Sequence, residues 1–181
     1  MKFSRTSIPD VVVFEPEIHG DKRGYFMETW RKSWLQEIGM DLDFVQDNQS
    51  SSVRGTLRGL HFQISQPQGK YIRVVDGEIY DVVVDMRKKS PSFGKWEGVS
   101  LSAENRKSLW VPPGFAHGFL VTSETAVITY KCTDYYAAEH ERSLLWNDPA
   151  LGIDWPMAEE SIILSDKDRN AMPLADCEYY P

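Results

Sequence analysis

Residues 57–63 read Leu-Arg-Gly-Leu-His-Phe-Gln. Leu57, Leu60 and Phe62 suit a buried strand, yet the same stretch carries an arginine and a histidine. A guanidinium is almost never buried without a partner, and an imidazole changes charge near neutral pH. A pocket wall that needs both a base and an anion clamp would account for the pair. A core histidine satisfied by a backbone carbonyl is the plainer alternative. Strand alternation puts His61 and Gln63 on one face, Leu60 and Phe62 on the other. Arg58 then falls opposite His61, unless Gly59 introduces a bulge or Arg58 serves another part of the site or a neighbouring subunit.

A second stretch, Pro112-Pro113-Gly114-Phe115-Ala116-His117-Gly118-Phe119, sets a tight corner and then a strand that projects His117 inward. The Pro-x-Gly-x-x-His pattern is similar to the second motif of cupins, the small jelly-roll barrels. An ordinary barrel turn with a structural histidine would read the same way. Many cupins complete a metal site with a His-x-His pair and a carboxylate. The corresponding residues here are His61-Phe62-Gln63, and glutamine is a poor ligand for zinc or iron. His19 and His140 have no suitable spacing. The expectation is acid–base chemistry with no metal.

These residues need a β scaffold. Val11 to Phe14 reads as a short strand between Pro9 and Pro16, and His19 to Gly24 as a turn with a basic pair. Trp30, Trp34, Leu35 and Ile38 share one face of a helix over Thr29–Ile38 that Gly39 stops. Residues 71–87 look like two strands hinged as a hairpin at Asp76-Gly77. In the second of them Tyr80, Val82, Val84 and Met86 form an apolar face, and Ile79, Asp81, Val83 and Asp85 a mixed one. Short strands follow at 99–101, 108–111, 118–121 and 126–130, and helical turns are expected near Ser165–Asn170. Many short strands between turn residues predict a mainly β, cupin-type jelly-roll barrel with a few short peripheral helices.

The chain of 181 residues fits a single domain, 1–181, with a sizeable core. A formal net charge of −7 argues against a nucleic-acid partner, although a few arginines can still dominate a local pocket. Cys132 and Cys177 lie far apart, in no metal-ligand spacing. They read as free thiols, with one disulfide as the alternative. The N-terminal residues lack a signal-peptide pattern, and no apolar run is long enough to span a membrane. A cytoplasmic location with no membrane partner is expected.

Taken together, DKRGYFMETW (21–30), QDNQSS (46–51), GTLRGLHFQ (55–63), GKYIRVVDGEIYDVVVDMRKKSPSFGKW (69–96), LWVPPGFAHGF (109–119), TYKCTDYY (129–136), ERSLLWNDP (141–149) and LSDKD (164–168) resemble the dTDP-4-dehydrorhamnose 3,5-epimerase family. They cover most of the chain in order. Phe62 and Ser143 depart from the residues more usual there, and neither removes a reacting group.

The resemblance implies a dTDP-linked 4-keto-6-deoxyhexose substrate, inverted at C3 and C5 without a redox cofactor. It assigns His61 as base, Asp168 as its carboxylate partner, Lys70 as stabiliser of the enolate oxygen, and Tyr130 as proton donor on the opposite ring face. It places Arg23 and Arg58 on the diphosphate, Gln46 and Asn48 at the nucleotide end, and Phe26 against an apolar face of the ligand. His117 would sit near the sugar, with Glu28, Asp47, Glu141 and Lys167 at further binding positions. It also implies a homodimer in which an N-terminal segment crosses to the partner; the strand at 11–14 could pair with an exposed edge. Without the resemblance, Asp168 and Lys70 read as solvated charges and Tyr130 as a core tyrosine. The same reacting groups would serve a mono-epimerase that inverts one carbon only. A non-catalytic sugar-nucleotide-binding cupin would not need the acid–base set, and a metal-dependent cupin oxygenase is disfavoured by Gln63.

Overall fold

The computed structural model describes residues 1–181. Thirteen strands are distributed over two large sheets and one small hairpin. They are β1 (Lys2–Arg5), β2 (Val12–Glu15), β3 (His19–Asp21), β4 (Gly24–Phe26), β5 (Gln46–Val53), β6 (Leu57–Gln63), β7 (Lys70–Asp76), β8 (Glu78–Asp85), β9 (Trp96–Ser102), β10 (Ser108–Val111), β11 (Phe115–Val121), β12 (Thr125–Cys132) and β13 (Glu141–Ser143). The first sheet runs β1-β2-β10-β7-β12-β5, the second β13-β6-β11-β8-β9. This is the expected jelly-roll barrel. No helix is long and apolar enough to cross a membrane.

The alternating pattern of the strands sets up three layers of packing. Ile72, Val74, Leu109, Val111 and Ile128 of the first sheet meet Ile79, Val83, Phe115, Phe119 and Val121 of the second in the central core. On its other face the first sheet buries Val12, Phe14, Tyr71 and Trp110 under the segment that carries Trp34, Leu35 and Ile38. The second sheet buries Leu60, Phe62, Val82, Val84 and Met86 under residues of the C-terminal third, including Leu144, Leu151 and Cys177. Both faces of β8 are therefore covered, and its carboxylates Asp81 and Asp85 are fully buried. Cys132 and Cys177 are both buried free thiols.

Helix α1 (Lys32–Glu37) is shorter than the sequence pattern suggested. Trp34 and Leu35 are buried on its inner face, while Trp30 joins the same cluster from the extended chain before it. Its end is a Schellman arrangement: Gly39, at φ +87, donates to Gln36 and Met40 donates to Leu35. The expected hairpin at Asp76-Gly77 is not one. β7 belongs to the first sheet and β8 to the second, so Gly77 is a corner between sheets. A Cβ there would lie 1.9 Å from the Thr125 carbonyl oxygen. The local signal gave the turn; sheet membership is decided by strands distant in sequence. In Val11–Phe14, the segment considered for exchange, Val12 to Phe14 belong to β2 and pair with β1 and β10 of their own chain.

Asp85 ties down the corner after β8. Its carboxylate accepts from Arg87 N and Nε at 2.9 Å, Arg87 Nη2 at 2.7 Å, Ser90 Oγ at 2.6 Å and Ser92 Oγ at 2.7 Å. Burial alone would raise its pKa, but these donors more than offset that and hold the carboxyl below its ordinary value. A depressed aspartate contributes stability above its unfolded pKa of about 3.9 and loses it as pH falls through the folded value. Asp85→Asn should therefore cost about 3 kcal/mol at neutral pH. In denaturant titrations, the gap from the wild type should shrink as pH falls through Asp85's folded pKa. A gap that is constant with pH would sink this account.

Candidate active site

A cavity of about 540 Å³ lies between the sheets. β6 contributes Arg58 and His61, β7 Lys70, β11 His117, β12 Tyr130 and β13 Glu141. Lys167 and Asp168 come from α2 (Asp166–Arg169), the helical turn expected near Ser165–Asn170.

β6 settles the position of Arg58. His61 pairs with His117 and Arg58 with Phe119, so three steps on β6 oppose two on β11. The extra residue is a β-bulge, and one inserted residue reverses the facing of everything beyond it. Arg58 and His61 therefore reach the same cavity. Gly59, at φ +125, makes the bulge possible: a Cβ there would lie 2.5 Å from the Gly118 Cα. Arg58 Nε also donates to Ser52 Oγ at 3.1 Å, which steadies the guanidinium at the cavity wall.

His61 Nε2 lies 2.5 Å from Asp168 Oδ1. Asp168 is only 3% exposed. Ser165 caps α2 by accepting from the Asp168 N–H at 3.2 Å and donates its hydroxyl to Asp168 Oδ2 at 2.7 Å. Burial would raise this carboxyl, yet the His61 and Ser165 bonds leave it below its ordinary value, so it stays ionised. An ionised partner on Nε2–H fixes the tautomer and leaves Nδ1 as the basic nitrogen. Burial pushes the Lys70 amine below its ordinary pKa, partly opposed by Cys132, Asp81 and Glu141. Burial likewise pushes the Tyr130 phenol up, partly opposed by Arg58. The phenol is thus protonated and able to donate at neutral pH.

Glu141 accepts from Lys167 Nζ at 3.0 Å and from Tyr136 Oη at 3.1 Å. Gln46 and Asn48 lie further along the inner face of β5, where Gln46 donates to Asn48 at 3.1 Å and accepts from Tyr136 N at 2.9 Å. Asp47 faces the other side of the sheet and pairs with Lys131 at 2.8 Å. Arg23, Phe26 and Glu28 do not reach this cavity. Arg23 and Phe26 sit on the β3–β4 hairpin, the Arg23 side chain 84% and Phe26 66% exposed. Arg23 pairs with Asp21, and Glu28 with Arg31.

Four contributors escaped the sequence reading. Asp81 accepts from His117 Nε2 at 2.9 Å and orients that ring. Its signal was visible: a carboxylate set between Ile79 and Val83 on one strand face. Ser165 was visible as a helix cap three residues before Asp168. Ser52 and Tyr136 carried no local signal.

A jelly-roll barrel that focuses a carboxylate-backed imidazole, an amine and a phenol on one internal cavity is a cupin-type acid–base enzyme. The chain belongs to the dTDP-4-dehydrorhamnose 3,5-epimerase family, whose sequence model matches residues 5–176. It is 52% identical over 182 residues to the dTDP-4-dehydrorhamnose 3,5-epimerase of Pseudomonas aeruginosa, covering 100% of both chains. A crystal structure of dTDP-6-deoxy-D-glucose-3,5-epimerase from Legionella pneumophila, in complex with dTDP-4-keto-L-rhamnose, superposes with a TM-score of 0.95 at 46% identity. The match covers 99% of this chain and 98% of that one. ChmJ, a 3′-monoepimerase from Streptomyces bikiniensis in complex with dTDP-quinovose, is similar at TM-score 0.88 and 41% identity, over 94% of this chain and 87% of its own.

Proposed function

We propose that this enzyme inverts C3 and C5 of dTDP-4-dehydro-6-deoxy-D-glucose to give dTDP-4-dehydro-L-rhamnose, the step that serves dTDP-L-rhamnose formation. The relatives named above support the substrate and the reaction. Within the molecule, the strongest support is the His61–Asp168 pair at 2.5 Å, opening on the same cavity as Lys70 and Tyr130.

The C4 ketone acidifies the C–H bonds at C3 and C5, because the electron pair left behind delocalises onto the carbonyl oxygen. His61 Nδ1 takes the proton, and Asp168 stabilises the imidazolium that results. Lys70 stabilises the enolate oxygen. Tyr130 returns a proton to the opposite face of the carbon, which inverts it, and is recharged from solvent. Arg58 holds the diphosphate, its fork matched to phosphate oxygens. His117 contacts the sugar, while Glu141 and Lys167 border the ligand. Gln46 and Asn48 serve the nucleotide end.

Arg23, Phe26 and Glu28 complete the site of a second copy in a homodimer. Their exposure and their distance from their own chain's cavity support that reading. Arg106 stacks at 4.4 Å on Tyr25 and braces the hairpin that would carry two of them across.

Proton NMR of the 4-keto sugar nucleotide with the enzyme in D2O tests the reaction. Deuterium should enter at both C3 and C5, and a downstream reductase should capture dTDP-L-rhamnose. Label at one carbon would make the enzyme a mono-epimerase. Binding with no label would leave a sugar-nucleotide-binding protein and remove the mechanism.

A further inference from the structure

Gln63 stands where a metal-binding barrel would carry its second histidine, and it is 4% exposed. Its side chain is fully engaged with backbone. Nε2 donates to the Gln66 carbonyl at 2.7 Å and to the Tyr135 carbonyl at 3.2 Å. Oε1 accepts from Ala137 N–H at 2.9 Å. The residue between the last two is Tyr136, which borders the cavity and whose hydroxyl donates to Glu141. Glu141 is in turn the residue paired with Gln63 across β13 and β6. One residue therefore fixes both ends of the Tyr136–Glu141 contact, with its side chain on one and its strand register on the other. Tyr180, from the C-terminal end, donates its hydroxyl to the Gln63 carbonyl and packs on Phe62, which holds that part of β6 from behind.

We infer that Gln63 is a positioning residue for substrate binding: it holds Tyr136 and Glu141 at the cavity mouth and sets the affinity for the ligand without touching the reacting carbons. The inference rests on the epimerase reading. A buried amide with all its bonds made to two loops is a rigid clamp. Tyr136 is exposed; besides the clamp its loop is held by the Tyr136 N–H bond to Gln46 and the Gln68 bond to the Asp134 carbonyl, which leave the segment between Tyr135 and Ala137 free to shift once the clamp is lost.

The test is steady-state epimerisation and deuterium exchange by Gln63→Met, which keeps the volume and removes all three bonds. KM should rise about tenfold, the loss of one to two hydrogen bonds' worth of ordering. The turnover number should change less than about threefold, since His61, Lys70 and Tyr130 keep their places. Tyr136→Phe should also raise KM, and adding it to Gln63→Met should raise KM no further, because the two act through one contact. If Gln63→Met does not fold, Gln63→Glu serves. It has the same shape and still accepts from Ala137, and its two facing carbonyls repel it. A KM within twofold of wild type in a folded variant overturns the inference. So does a loss confined to turnover, or a double variant whose effects multiply. Wild-type turnover is the control: if the wild type does not epimerise the substrate, the reading of the reaction fails, not that of Gln63.

Discussion

His61→Asn should lower exchange of the C3 and C5 protons by about 10²- to 10⁴-fold, the range over which a positioned general base contributes. Nucleotide-sugar binding should persist. Asparagine removes the basic nitrogen but leaves Arg58, Lys70 and His117 in place around the cavity. Asp168 also stays fixed, because Ser165 anchors both its backbone and its second carboxylate oxygen. Calorimetric titration with dTDP, run beside the D2O exchange assay, separates the two properties. Near-full exchange in the variant would move the base elsewhere. The first candidate would then be His117, which lies directly opposite His61 in the strand register and is carried by its own buried carboxylate, Asp81.

The second large effect is expected at Lys70. Lys70→Met keeps most of the length of the side chain and removes the charge. Loss of a group that stabilises a developing oxyanion costs about 10²- to 10³-fold in turnover. The stability change should go the other way. Desolvation is the largest influence on this amine, and replacing a partly buried charge at the cavity wall by an apolar group removes that cost. A lower turnover number together with an unchanged or raised Tm is thus the signature of a lysine kept for catalysis. A raised KM with unchanged turnover would instead assign Lys70 to ground-state binding.

Legibility in the sequence follows the range of the interactions. Features written in a few adjacent residues were legible: the Pro112–Gly114 corner that launches His117, the helical turn near Ser165–Asn170, and the two faces of β8. The partner of Asp85 was not read, although it lies two residues away. What depends on strands distant in sequence was misread or left open. Asp76-Gly77 has the chemistry of a hairpin, but β10 and β12 claim β7 while β11 and β9 claim β8. The Arg58 ambiguity could be posed from parity alone. Resolving it needed the register of β6 against β11. Lys70, Tyr130 and Asp168 had no intrinsic mark that set them apart from surface charges and core tyrosines, because what distinguishes them is convergence on one cavity. Family resemblance supplied that convergence before the fold did.

The strand order has a kinetic consequence. Each large sheet is assembled from segments far apart in the chain: β5 pairs with β12, β2 with β10, and β6 with β11. His61 meets Asp168 across a separation of 107 residues. Chains dominated by such distant contacts fold slowly, since loop closure must precede any gain from pairing. The base is backed by its carboxylate only after the barrel has closed and the final third has wrapped the second sheet. A nascent or partly folded chain therefore has no functioning catalytic pair, and recovery of epimerisation during refolding should lag behind recovery of β-sheet signal. Recovery of enzymatic activity in this molecule thus reports closure of its long-range contacts.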